Sequence, residues 1–284
     1  MSYKIYVKDV PEKLRIWSYI EQVTNIKRYY NLKPTYNATD LIDLEHTFDI
    51  NRLRLAVLDA VTKFDPKGWL SKQGRNSGYG GLSLMMNPQY IEPVDPNYHT
   101  LGTERNEPTE FFYDHVQKFP TLKNTYFDSY GFRIPSPCVQ QTDLINIFNE
   151  FSRSQTRGRI AVITSNWDSE RRKKGGWHRD EAVFENLRIN IPIETDETYL
   201  FQIEGKEPVH LSYGNIYSWD TNIPHRVFPT TESLKKRIHV VFGIIPWFDY
   251  NAEEDAFISN DFFGNMHPID MLVEGYVHPS IGLR

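Results

Sequence analysis

The sequence predicts an α+β chain that is mainly β, with N-terminal helices packed on an antiparallel sandwich or barrel. Three observations predict it. Apolar residues recur at helical spacing in two segments before residue 65. Between Arg157 and Trp247, short runs rich in β-branched and aromatic residues follow one another, separated by turn signals. A length of 284 residues is enough to bury a full core. No repeat, low-complexity segment or convincing linker divides the chain, so one domain is expected. Within it, 1–156 is expected to be a helical, loop-rich part, 157–247 the β core and 248–284 a tail.

The first helix is expected in "VPEKLRIWSYIEQVTNIKRYY", with Pro11 at its first position and Leu14, Trp17, Ile20 and Val23 forming one apolar stripe. A second fits "DINRLRLAVLDAVTKF", capped by Asp49 and followed by Gly68. "SGYGGLSLMM" reads as a strand with a glycine-bearing turn, and "NPQYIEPVDPNYHTLGTERNEP" as a long loop suited to wall or cover a pocket. A third helix fits "TDLINIFNEFSRS", starting near Thr142 or Asp143. The strands follow: "RGRIAVITSNW", "LRINIPI", "TYLFQIEG", "EPVHLSYG", "NIYSWD" and "RIHVVFGIIPWF". In the tail, "HPIDMLVEGYV" is a short helix.

Composition narrows the function. A net charge of -5 and a pI near 6.0 argue against a nucleic-acid binder, which needs a basic face. The run "RRKK" at 171–174 is a solvated loop. No apolar stretch approaches the roughly 20 residues of a membrane span, and the N-terminus lacks a signal-peptide core, so a soluble, cytoplasmic protein is expected. Cys138 stands alone, which rules out an internal disulfide and a cysteine-based metal site. Any metal must rest on histidine and carboxylate.

One stretch, "GGWHRDEAVFENLRINIP" at 175–192, has the residues for it. If it is extended, His178 and Asp180 share a face while Arg179 points away. A third ligand is available in "SWDTNIPHRVFP", where a loop after the strand "IYSW" delivers His225. Two histidines and one carboxylate on one face of an octahedron hold non-haem Fe(II) and leave three positions open. With nine histidines in the chain, His-x-Asp alone has little weight, and the neighbours supply it. In "LRINIPI" Arg188 and Asn190 face away from Leu187, Ile189 and Ile191; in "RIHVVFGI" Arg237 and His239 face away from Ile238, Val240 and Phe242. Two such arginines suit a dianionic co-substrate, because the guanidinium fork grips carboxylate. His46, His99, His115, His210, His267 and His278 read as surface or satisfied core residues, whereas alternation puts His239 beside Arg237.

Residues 157–247 resemble the aspartyl/asparaginyl β-hydroxylase-like branch of the Fe(II)- and 2-oxoglutarate-dependent dioxygenases. The resemblance implies a double-stranded β-helix, the jelly-roll of cupin-like folds. "WHRD" matches the first metal-binding segment, making His178 and Asp180 iron ligands, and "GNIYSWDTNIPHRVFPTTESLKKRIHVVFGI" the closing segment that presents His225. Arg188 and Asn190 fall where the family meets the end of 2-oxoglutarate nearest the iron, with Asn190 in place of a frequent histidine. Arg237 falls on the arginine that pairs with the far carboxylate, and Ser165 where relatives offer a hydroxyl. The implied cofactors are Fe(II), 2-oxoglutarate and O2. The implied reaction hydroxylates an amino-acid-like small molecule or a protein side chain and releases succinate and CO2; with Asp180 present, hydroxylation is expected over halogenation. Two rivals remain at this point: a cupin-like metal enzyme without 2-oxoglutarate, which has no need of Arg188 and Arg237, and a non-catalytic jelly-roll binding module.

Overall fold

Seven antiparallel strands make the largest sheet, in the order β2 (Ile42–Leu44), β10 (Ile216–Ser218), β8 (Leu187–Glu194), β12 (Arg237–Ile244), β7 (Gln155–Ile163), β4 (Asn76–Ser83) and β3 (Lys67–Leu70). This computed structural model describes residues 2–12, 14–37, 39–64, 67–70, 76–88, 128–163, 176–230 and 236–282. Smaller antiparallel sheets join β9 (Tyr199–Ile203) to β11 (His225–Pro229), β5 (Met85–Met86) to β6 (Ile134–Pro135), and β1 (Lys4–Tyr6) to β14 (Ala256–Ser259) and β13 (Phe248–Asn251). The architecture is therefore the expected mixture of helices and antiparallel sheets. The strand expected in "SGYGGLSLMM" forms as β4, and it joins the large sheet together with β2 and β3, which were not expected before residue 157.

The expected strand "EPVHLSYG" does not form. Only Val209 pairs, exchanging both backbone bonds with Phe201. Ser165, the run at 171–174, His99, His115 and nearly all of the long loop fall outside the described residues.

Both faces of β8 are buried from Leu187 to Ile193. Leu187, Ile189 and Ile191 enter the main apolar core, while Arg188 and Asn190 are buried on the opposite face. In β12, Arg237 and His239 are likewise buried opposite Ile238, Val240 and Phe242. Pro192 sits in the middle of this sheet, where a missing N–H is normally excluded; the register between β8 and β12 slips at that point, with His239 opposite Pro192 but Ile238 opposite Glu194.

Helix α1 (Ile16–Thr24) starts later than Pro11 suggested. Its buried residues are Ile16, Trp17, Ile20 and Thr24, while Val23 is exposed, so the stripe follows the i, i+4, i+8 rows and not a spacing of three. A remote carboxylate caps it: Asp128 accepts the backbone N–H groups of Ile16 and Trp17, and of Tyr130 in its own turn. Helix α2 (Ile50–Phe64) is capped as expected, with Asp49 Oδ1 accepting from Arg52 N at 2.9 Å. Gly68 lies in β3 and does not end it. Helices α3 (Pro137–Gln140), α4 (Leu144–Asn149) and α5 (Pro268–Val273) are short, the last two near their expected places. One apolar cluster runs from Ile5 to Ile281 and takes in α1, α2 and strands of the large sheet, while Phe201, Ile203, Leu211, Tyr217 and Trp219 form a second. Among the described residues no helix is long and apolar enough to cross a membrane.

Burial pushes the Asp128 carboxyl up to about 6, against the pull of Arg15 and its backbone donors. An acid whose folded pKa exceeds its ordinary 3.8 holds its proton more tightly in the folded state. Its stabilising share is full below about pH 4 and is lost as pH rises through 6, a span worth about 3 kcal/mol. Asp128→Asn lacks this titration. Denaturant unfolding between about pH 4 and pH 7 should show the stability of the wild type relative to the variant falling by about 3 kcal/mol; a constant difference would contradict the assignment.

Candidate metal centre

His178 and Asp180 meet His225 without the regular strand that alternation implied. His178 forms an isolated antiparallel bridge with His225, the first residue of β11. Their backbones exchange both hydrogen bonds, at 3.1 and 3.0 Å. Directly opposed residues project to the same face, which brings the two imidazoles to 4.4 Å between centroids. Two residues on, Asp180 N donates to Thr221 O at 2.9 Å, and the Thr221 hydroxyl donates to Glu181 O at 2.6 Å. The loop before His225 thus grips the segment after His178. The result is a set of one ligand atom from each of His178, Asp180 and His225, all within 4.8 Å of one another.

Local turns decide which ring nitrogen is available. His178 Nδ1 lies 2.9 Å from Gly176 O, and His225 Nδ1 2.9 Å from Ile223 O. A carbonyl only accepts, so each Nδ1 carries the proton and each Nε2 presents a lone pair. Gly176 supports this with φ of +61°, a left-handed turn that glycine adopts without strain. The Asp220 side chain accepts from Asn222 N at 2.9 Å, forming the turn that aims His225.

The centre is lopsided: His178 is exposed, Asp180 half-buried and His225 buried. Around the inner histidine, Trp219 packs edge-on at 5.3 Å and Phe201 at 6.1 Å. At His178, atoms crowded around the ring desolvate it and lower its pKa; Asp180 opposes that effect, while His225 and Arg159 add to it. A neutral imidazole is the form that ligates a metal. Two nitrogens and one carboxylate are the donor set of the facial triad, and with no sulfur ligand they suit Fe(II).

The predicted co-substrate residues divide into two groups. Arg188 turns onto the acidic segment, with Nη2 2.8 Å from Glu181 Oε2 and Nη1 3.4 Å from Asp180 Oδ2. Its fork meets protein carboxylates and so holds Asp180, where the resemblance implied contact with 2-oxoglutarate. Its Nε is buried without a hydrogen-bond partner among the described residues. Arg237 and Asn190 do come together, through His239: His239 Nδ1 is 2.9 Å from Arg237 Nη2 and 2.7 Å from Asn190 Oδ1. His239 is fully buried, and burial, then the Arg237 charge, then His210 hold its pKa well below the ordinary value. Nδ1 thus lies between a guanidinium that only donates and an amide oxygen that only accepts, and Nε2 is a second buried polar atom without a partner among the described residues. Both groups include a residue of β8, which carries Arg188 and Asn190 two residues apart on one face.

The other histidines are accounted for structurally where described. His46 and His210 bond to the carbonyls of Gly214 and Tyr199, His267 caps α5, and His278 meets Glu150. Glu181, Ser129, Arg157 and Thr221 also surround the centre and were not anticipated. Glu181 had a legible signal, as a second acid directly after Asp180 in "HRDE". The other three are brought in by remote segments and carry none.

No protein-family model matches the chain, and no curated protein matches it. Solved structures do. A prolyl-4-hydroxylase from Pseudomonas putida is similar over 72% of this chain and 91% of its own, at 9% identity and a TM-score of 0.32. An oxidoreductase of the 2OG-Fe(II) oxygenase family from Burkholderia pseudomallei is similar over 72% and 77%, at 10% identity and 0.33. The dioxygenase for auxin oxidation 1 from Arabidopsis thaliana, in its 2-oxoglutarate complex, is similar over 84% and 91%, at 11% identity and 0.36. Identities and scores this low carry neither fold membership nor chemistry over to this chain; its own residues have to supply both.

Proposed function

We propose that this protein is an Fe(II)- and 2-oxoglutarate-dependent oxygenase of the aspartyl/asparaginyl β-hydroxylase-like kind. It hydroxylates a C–H bond of an amino-acid-like small molecule or a protein side chain. In this proposal β8, β9, β11 and β12 belong to a double-stranded β-helix, and the part before residue 157 shapes the substrate cleft. The observation that carries it is the convergence of His178, Asp180 and His225 with both Nε2 lone pairs held toward one point.

The residues fit the groups they would hold. His178 Nε2, the Asp180 carboxylate and His225 Nε2 bind the metal. Bound there, Fe(II) with 2-oxoglutarate and O2 supplies the oxidising power that hydroxylates the substrate and leaves succinate and CO2. Arg237 pairs with the far carboxylate of the co-substrate, and neutral His239 orients its guanidinium through Nδ1. The unpartnered Nε of Arg188 fits a ligand that accepts hydrogen bonds, because a buried donor without an acceptor is costly, and the unpartnered Nε2 of His239 offers that ligand a second polar atom. Trp219 and Phe201 exclude water on the His225 side, and the exposed His178 edge beside exposed Trp177 is where substrate approaches.

The test is anaerobic titration of Fe(II) and 2-oxoglutarate, read by the weak visible charge-transfer band of an Fe(II)–keto-acid chelate. The wild type is expected to show the band, and Arg237→Ala to need about 10–100-fold more 2-oxoglutarate, the loss of a charge-assisted pair. Bound iron with no band would instead favour a metal enzyme that does not use 2-oxoglutarate. No bound iron would favour a binding module.

A further inference from the structure

Three charged side chains beside the triad are buried and unassigned by the chemistry above or only partly used by it: Arg157, Glu181 and Arg188, at 5%, 7% and 7% exposure. Glu181 stands between the two arginines. Its Oε2 accepts from Arg188 Nη2 at 2.8 Å, and its Oε1 lies 3.4 Å from Arg157 Nη1 and accepts from Ser129 Oγ at 3.0 Å. The other end of the Arg188 guanidinium reaches Asp180 Oδ2, the same oxygen that lies 3.7 Å from His225 Nε2. One guanidinium is therefore shared between a carboxylate of the triad and a carboxylate outside it.

We propose that Glu181 is a positioning residue of the metal centre, whose charge holds Arg157 and Arg188 so that Asp180 is left to the metal. The inference rests on the metal reading above. Two buried guanidiniums repel a divalent cation and compete with it for Asp180, and little solvent screens them. With Glu181 ionised, these four side chains sum to zero charge. Without it they sum to plus one, and Arg188 turns its attraction onto Asp180. Glu181 also ties the ligand segment to three places: the turn at Ser129, β7 through Arg157 and β8 through Arg188. A purely structural tie is insensitive to which sign of charge is removed, whereas the proposed role is not.

The experiment is isothermal titration of Co(II) alone into the full chain, for the wild type, Glu181→Gln, Arg157→Gln and the double variant, each first checked for fold by circular dichroism. Glu181→Gln is expected to weaken Co(II) binding about 10–100-fold, the range for residues that support a ligand. Arg157→Gln is expected to tighten it by about threefold or more. The double variant, which restores the charge balance, should return to within a few-fold of the wild type. Unchanged affinity in Glu181→Gln, or a double variant as weak as that single one, overturns the proposal. Should Glu181→Gln not fold, Arg157→Gln decides alone: unchanged or weaker binding overturns it. A wild type that binds no Co(II), or binds it equally well in His225→Ala, removes the metal reading and this inference with it. A His225-dependent site that Glu181→Gln leaves untouched removes only the role of Glu181.

Discussion

His225→Ala is expected to abolish specific metal binding while leaving the chain folded. The substitution deletes one of three ligand atoms, and the two that remain, on exposed His178 and half-buried Asp180, are at the open side of the centre. The loss should exceed the roughly 10–100-fold that removal of a supporting residue costs. Its effect on the metal-free protein is small by comparison. His225 is buried against Trp219 and Phe201, and truncating one such side chain costs about 1–3 kcal/mol. Its backbone bonds to His178 survive, because they do not involve the side chain. The check is a pair of thermal melts with and without Co(II). A ligand that binds only the folded state raises the midpoint, so the wild type should shift and His225→Ala should not. An equal shift in both would remove His225 from the ligand set.

Trp247→Ala should do the reverse, costing stability while sparing the ligands. Trp247 is fully buried and contacts Tyr29, Phe184 and Phe263 edge-on, at centroid distances of 6.0, 5.1 and 5.6 Å. Its Nε1 donates to Met266 O at 2.8 Å. These partners come from the segment after α1, the segment after the ligands and the C-terminal part, so one side chain joins three remote stretches. Truncation to alanine is expected to cost about 3–5 kcal/mol, near the top of the range for core residues. For a chain of this size that lowers the melting midpoint by about 10 °C. Phe184 keeps its stacking on Tyr30 at 4.8 Å and its contact with His267, so the ligand segment stays anchored. The folded variant should therefore bind Co(II) with nearly wild-type affinity. A loss of under about 1 kcal/mol in guanidinium unfolding would contradict the packing role.

The two expectations separate what is local in this chain from what is not. Features set by neighbours in sequence could be read in advance. Asp49 caps α2 because the cap and the N–H it accepts are three residues apart. The alternation of Arg188 and Asn190 with Leu187, Ile189 and Ile191 follows from the two-residue period of a strand. The chemistry of the centre was legible in the same way, since with one cysteine only histidine and carboxylate could serve and "WHRD" and "IPHR" supply them.

Features set by distant segments were not legible. Pro11 looked like a helix start, but α1 begins where Asp128, more than a hundred residues away, can receive its N–H groups. Arg188 looked like a ligand clamp, and its partners became Asp180 and Glu181 only when the segment before β8 folded back on it. Alternation placed His178 and Asp180 together for the wrong reason: the strand is absent, and a bridge to His225 with a clasp from Thr221 aligns them instead.

Sequence alone determined which atoms could bind a metal, because donor chemistry belongs to the residue type. Tertiary structure decided how the three ligands meet, which guanidinium bears on Asp180 and which acid balances it. Those outcomes depend on hydrogen bonds and charges only a few ångströms long, made between groups that no spacing along the chain brings together.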